Sequence, residues 1–155
     1  FMSGIVGDNT ARASGVIAAA GGGKLLQVVT ATDSTERSTT SASWVTGSNT
    51  LSAAITPSAT SSKILILTNF WTYGGSDWTA GTVYRDGSTN LGDATYGFSR
   101  SSGAGKGAYI STAYLDSPNS TSSLTYQVYF KVKDGTGYLQ RYGSTSSINL
   151  LEIGA

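Results

Sequence analysis

Asp77, Asp86, Asp93, Asp116 and Asp134 are the groups best able to do acid–base chemistry in this 155-residue chain, because it contains neither His nor Cys. That absence removes the commonest general base, the commonest metal ligand and the best thiol nucleophile. A glycosidase needs only two carboxylates at a set separation. Yet each of these aspartates lies in or beside an expected loop, where hydrogen bonding to nearby backbone is the ordinary use of Asp. The segment DWTAGTVYRDGSTNLGD gathers oxygens from Asp77, Asp86, Asn90 and Asp93 but lacks the dense alternating acids of a calcium loop. The expectation is a protein that is not an enzyme, with no catalytic residue, no cofactor and no metal.

Aromatic residues form the second group capable of chemistry, here of recognition. Trp71, Tyr73 and Trp78 surround Gly74-Gly75, and Tyr84, Tyr96 and Phe98 follow in a Gly-rich stretch. Planar rings offer contact area at low entropic cost, as sugar-binding and protein-binding surfaces require. Packing inside a core or an interface is the competing use, favoured for Trp71 and Tyr73 on an expected strand and evenly balanced for Trp78. The segment SRSSGAGKGAY, residues 99–109, carries Arg100 and Lys106. It does not match a phosphate-binding loop, which needs Gly-Lys-Ser/Thr ahead of a helix. It reads instead as a mobile recognition loop. Asn119-Ser120-Thr121 fits a glycosylation acceptor, a triplet that arises readily by chance in a chain with 24 Ser and 21 Thr.

Composition narrows the remaining classes. Charged residues make up 12% of the chain, and the net charge is +1 with no run of one sign, so the footprint of a nucleic-acid binder is missing. The longest apolar stretch, residues 64–67, is far short of the ~20 residues that cross a bilayer. The length suits one domain able to fold without metal or disulfide staples. The opening Phe1-Met2 is compatible with a start at Met2 or with a piece of a longer polypeptide.

The elements that must position these residues are strands. Residues 1–23 hold short apolar pairs separated by Gly, Ser and Asn and close on a Gly triplet, so they read either as an arm that orders against a neighbour or as a frayed terminus. Residues 24–155 form an all-β domain, an antiparallel β-sandwich. Strands are expected at 24–32, 41–46, 51–55, 63–73, 81–85, 108–116, 123–133, 138–142 and 148–153. Asp86-Gly87 and Asp134-Gly135 read as tight hairpin turns, the second more strongly. Alternation puts Leu124, Tyr126, Val128, Phe130 and Val132 on a core face and Tyr129 on the other. At 148–153, Ile148, Leu150 and Glu152 share one face. Strand 63–73 is apolar on both: Ile64, Ile66 and Phe70 on one side, Leu65, Leu67, Trp71 and Tyr73 on the other. Such a strand is covered twice, by the opposite sheet and by either a subunit interface or the chain's own arm or loops.

The segments SGIVGDNTARASGVI, GKLLQVVTATDSTERSTT, ITPSATSSKILILTNF, VYRDGSTNLG, YLDSPNSTSSLTYQVYFKV and the closing INLLEIGA resemble, in this order, the C-terminal domains of bacteriophage tail-fibre and related virion structural proteins. TPSATSSKILI and LLEIGA carry the resemblance most strongly, and it covers nearly the whole chain. It implies a homotrimeric jelly roll similar to tumour-necrosis-factor-like heads, placed on an extracellular virion at a tail or head fibre and contacting the host. It also implies attachment to other virion proteins through residues 1–23. Under it, Leu65, Leu67, Trp71, Tyr73 and Tyr129 approach the neighbouring subunit, and Tyr129→Asp breaks the trimer. Trp78, Arg100 and Lys106 meet a host surface glycan or protein. A carbohydrate-binding module working as a monomer, and a self-assembling surface or filament subunit using the arm, are the alternative readings.

Overall fold

A computed structural model describes residues 23–47 and 51–154, so the expected arm lies almost wholly outside the described residues. Eleven strands are described: β1 (Lys24–Asp33), β2 (Arg37–Thr39), β3 (Ser52–Ile55), β4 (Lys63–Gly74), β5 (Thr79–Arg85), β6 (Thr89–Asn90), β7 (Ser99–Arg100), β8 (Lys106–Asp116), β9 (Leu124–Val132), β10 (Gly137–Leu139) and β11 (Ser146–Gly154). The chain is all-β, with two antiparallel sheets stacked as a sandwich.

In the first sheet β4 is central. It pairs along its whole length with β8 on one side and with β11 and then β10 on the other, and β1 and β2 form the far edge. The second sheet runs β3, β9, β5, with β6 and β7 both on the outer side of β5. Among the described strands of four or more residues, β1, β3, β4, β5, β8, β9 and β11, each connection passes from one sheet to the other.

The two-residue period explains the core. Ile64, Ile66, Phe70, Ile110, Leu139, Ile148 and Leu150 of the first sheet meet Leu51, Ile55, Val83, Leu124, Tyr126, Val128 and Phe130 of the second, all buried. The core face expected of β9 is therefore the observed one. Gly81 allows the closest approach, because a Cβ there would collide with the Phe70 ring. Asp116 Oδ2 on β8 ties the sheets together at one end, accepting hydrogen bonds from Arg85 Nη1 at 2.6 Å and Tyr126 Oη at 2.7 Å. Burial, reinforced by the bond to Asp116, pushes the Tyr126 hydroxyl far up, so it stays a donor.

Two expectations about turns part company. Asp86-Gly87 is a tight hairpin turn, with φ of 51° and 66° and Ser88 N–H donating to Arg85 O at 3.2 Å. Asp134-Gly135 is not a hairpin. It carries the chain from β9 in the second sheet to β10 in the first, and only Gly135 has positive φ. The expected strand at 138–142 also breaks after Leu139, because Gln140, Tyr142 and Gly143 all take left-handed φ values and push the chain out before β11 resumes the edge of β4. Residues 41–46 contribute one isolated bridge, Val45 to Phe130, rather than a strand.

Candidate functional site

The two outer faces of the sandwich carry different chemistry. On the first sheet, Leu65, Leu67, Trp71 and Tyr73 line one face of β4, as the alternation required. Cross-strand partners share a face, so register extends the patch: Leu65 lies between Leu115 and Leu151, Leu67 between Ala113 and Asn149, Trp71 beside Tyr109, and Tyr73 beside Tyr138. Val28, opposite Leu151, and Leu25, opposite Ile153, complete an apolar end. The other end is aromatic. Trp71 meets Tyr109 edge-on at 4.8 Å, and the Arg141 guanidinium sits 4.4 Å from the Tyr73 ring centre and 4.2 Å from that of Tyr138. Between these ends lies a polar depression of about 330 Å³ bordered by Leu67, Asn69, Ser111, Ala113, Ser147 and Asn149.

Among the described residues, eight large hydrophobic side chains are exposed: Leu25, Leu26, Val28, Leu67, Tyr96, Tyr109, Leu115 and Tyr142. All but Tyr96 belong to the first sheet or to the turn between β10 and β11. Tyr129 does not join them. It lies on the outer face of the second sheet, stacked on Tyr84 with ring centres 4.2 Å apart, so it and Trp71 point away from opposite sides of the molecule.

The outer face of the second sheet carries the recognition candidates. Asp93 shapes a short loop there: its Oδ1 accepts from Thr95 N–H at 2.8 Å and Tyr96 N–H at 2.7 Å, while backbone bonds link Asp93 and Gly97 in both directions. Those N–H donors, Tyr96 first, hold the Asp93 carboxyl below the usual range. The loop delivers Tyr96 onto Trp78, edge-on at 5.6 Å. Arg100, paired with Ala80 in the strand next to Trp78, places its guanidinium 4.8 Å from the Tyr96 ring centre and 5.4 Å from that of Trp78. The loop's Ala94 carbonyl accepts from Trp44 Nε1 at 3.0 Å and Lys131 Nζ at 3.2 Å, and Lys131 lies 4.5 Å over the Trp44 ring. Asp77 is held below its usual range by the Trp78 N–H and by Lys133, its ion-pair partner at 3.0 Å.

Trp78 and Arg100 are thus brought together, whereas Lys106 is not with them. It opens β8 opposite Gly74 in the first sheet. Sequence reasoning had Tyr96 among the recognition aromatics without joining it to Arg100, and it missed Trp44 and Lys131. It also missed Leu115 and Tyr109, although β8 shows the same two-sided pattern as β4.

The buried Glu152 is the carboxylate with the most unusual setting. Its Oε1 accepts from Ser58 N–H at 2.7 Å and Ser58 Oγ at 2.6 Å, and its Oε2 accepts from Gln27 Nε2 at 2.7 Å. Burial alone would raise its pKa, but these donors outweigh it and hold the group at about 2. An acid so strongly satisfied is a structural anchor for the loop between β3 and β4. No cluster of three or more potential metal-binding side chains occurs among the described residues.

No protein-family model matches the chain, and no curated protein matches it.

Proposed function

We propose that this chain is a virion structural protein, a homotrimeric jelly-roll domain of a phage tail or head fibre that attaches to the host surface. The carrying observation is the gathering of exposed hydrophobic side chains on the first sheet and its β10–β11 turn; each outer face also holds an aromatic–cation cluster, around Arg141 on the first and around Arg100 on the second. A hydrophobic patch of that kind marks an association surface.

Strand order supports the jelly roll: β8-β4-β11-β1 faces β5 and β9 flanked by β6 and β3, with sheet-crossing connections. Size supports self-association. Four strands about 4.8 Å apart and about 36 Å long make a face of roughly 700 Å², close to the ~800 Å² that each partner buries in a standard interface. Its central row of Thr30, Asn149, Leu67 and Ala113 carries no charge, and the cations Lys63 and Arg141 lie toward the two ends of the face. The resemblance of its segments to tail-fibre domains favours three copies. In this reading Trp78 and Arg100 point outward from the assembly toward a host-surface molecule, the domain is extracellular on the virion, and residues 1–23 attach to neighbouring virion proteins.

Sedimentation equilibrium tests the proposal. The expected mass is three times the 15.9 kDa of one chain, and it persists when residues 1–23 are removed. A monomer that binds glycans through Trp78 would overturn it in favour of a carbohydrate-binding module. Loss of assembly with the arm would favour a filament subunit.

A further inference from the structure

We propose that Arg100, Tyr96 and Trp78, with Lys131 beside them, form a binding site for an acidic glycan, one whose sugars carry carboxylate or phosphate groups; this deepens the receptor-binding reading and rests on it. Arg100 has no ion pair among the described residues, and although exposed it lies against two rings. A guanidinium placed in this way offers its planar donors to a carboxylate or phosphate at reduced entropic cost.

Two acids lie within electrostatic reach of these cations, Asp77 of Arg100 and Asp93 of Lys131, but the hydrogen bonds of each go elsewhere. Asp77 pairs with Lys133 and accepts from the Trp78 N–H, and Asp93 closes its own loop. Lys131 supplies a second cation, fixed over Trp44 and bonded to the same loop through Ala94 O. Two positioned cations joined by one loop suit a repeating anionic polymer. The half-exposed Tyr96 ring, 46% accessible, adds the flat apolar surface on which the C–H face of a sugar packs. Duplex nucleic acid is a poorer match, because a net charge of +1 provides no basic stripe to follow a phosphate backbone.

Titration calorimetry on the full chain, with an oligogalacturonate, a glycerol-phosphate oligomer and a neutral malto-oligosaccharide as probes, tests this. At least one acidic probe should bind and the neutral one should not. Arg100→Ala should weaken binding about tenfold or more, as expected for a lost charge-assisted hydrogen bond. Lys131→Ala should weaken it less, and both variants should keep the wild-type melting temperature. The two acidic probes separate carboxylate from phosphate recognition. Failure of both to bind, equal binding of the neutral probe, tighter binding of a DNA duplex, or unchanged affinity in folded Arg100→Ala would each overturn the site. None of these results alters the mass in solution, so the assembly proposal stands or falls separately.

Discussion

At the scale of single residues, Glu152 shows how a buried charge is made tolerable without a cation. Its donors come from Ser58 and Gln27, on either side of the strand that carries it. Because its folded pKa is about 2, against the ordinary 4.5 of the unfolded chain, the unfolded chain takes up its proton first as pH falls. The stabilisation is complete above pH about 4.5 and is lost progressively as pH falls toward 2. Urea midpoints measured from pH 6 to 2 should therefore drop for the wild type, with a shallower drop for Glu152→Gln. That variant should also be less stable at neutral pH by about 1–3 kcal/mol, since its amide N–H₂ cannot accept from Ser58. Equal slopes would show that another group governs the acid limb. From its alternation, Glu152 was legible as sharing a face with Ile148 and Leu150, but not that this face is the buried one. Its donors were not legible, because Gln27 and Ser58 come from segments that only the folded sheet brings together.

At the scale of elements, long strands were readable because side-chain direction repeats every two residues. The spans of β1, β4 and β8 agree with expectation to within two residues at each end, and the inward set of β9 is the expected one. The failures have a common cause. Asp134-Gly135 carries the chemistry of a turn, but turn chemistry does not say which sheet the next strand will join. Tyr129 was correctly placed off the core, yet an outward direction on β9 and one on β4 point away from opposite sides of a sandwich. The two-residue strands β6 and β7 are too short for a period to register. Packing between elements makes Gly81 a sensitive position. Gly81→Ala should destabilise the domain by about 1–3 kcal/mol, the usual cost of overpacking, seen as a lower urea midpoint with an unchanged slope. Gly87→Ala should cost about 1 kcal/mol, because Gly87 holds φ at 66° in the β5–β6 hairpin.

At the scale of the whole molecule, the sandwich presents one outer face rich in exposed hydrophobic side chains, the assembly side of the proposed function, and another bearing the Trp78–Tyr96–Arg100 cluster, its recognition side. The assembly side was half legible: the two apolar faces of strand 63–73 called for a second cover, while the contributions of Leu25, Val28, Tyr109 and Leu115 emerged only from register. The recognition side was legible as Trp78 and Arg100, and its organiser, the loop closed by Asp93, was not, because one Asp among many turn formers carries no mark of what its turn will deliver.

Leu115→Asp places a charge in the apolar end of the first sheet at a half-exposed position, where it does not disturb the core. Tyr129→Asp places the same charge on the opposite side. Sedimentation equilibrium of the wild type and these two variants tests the central claim most directly. The account predicts three chain masses for the wild type and for Tyr129→Asp, and one for Leu115→Asp with its β-sheet circular dichroism intact. A wild-type monomer, or a trimer that survives Leu115→Asp and dissociates with Tyr129→Asp, would contradict it.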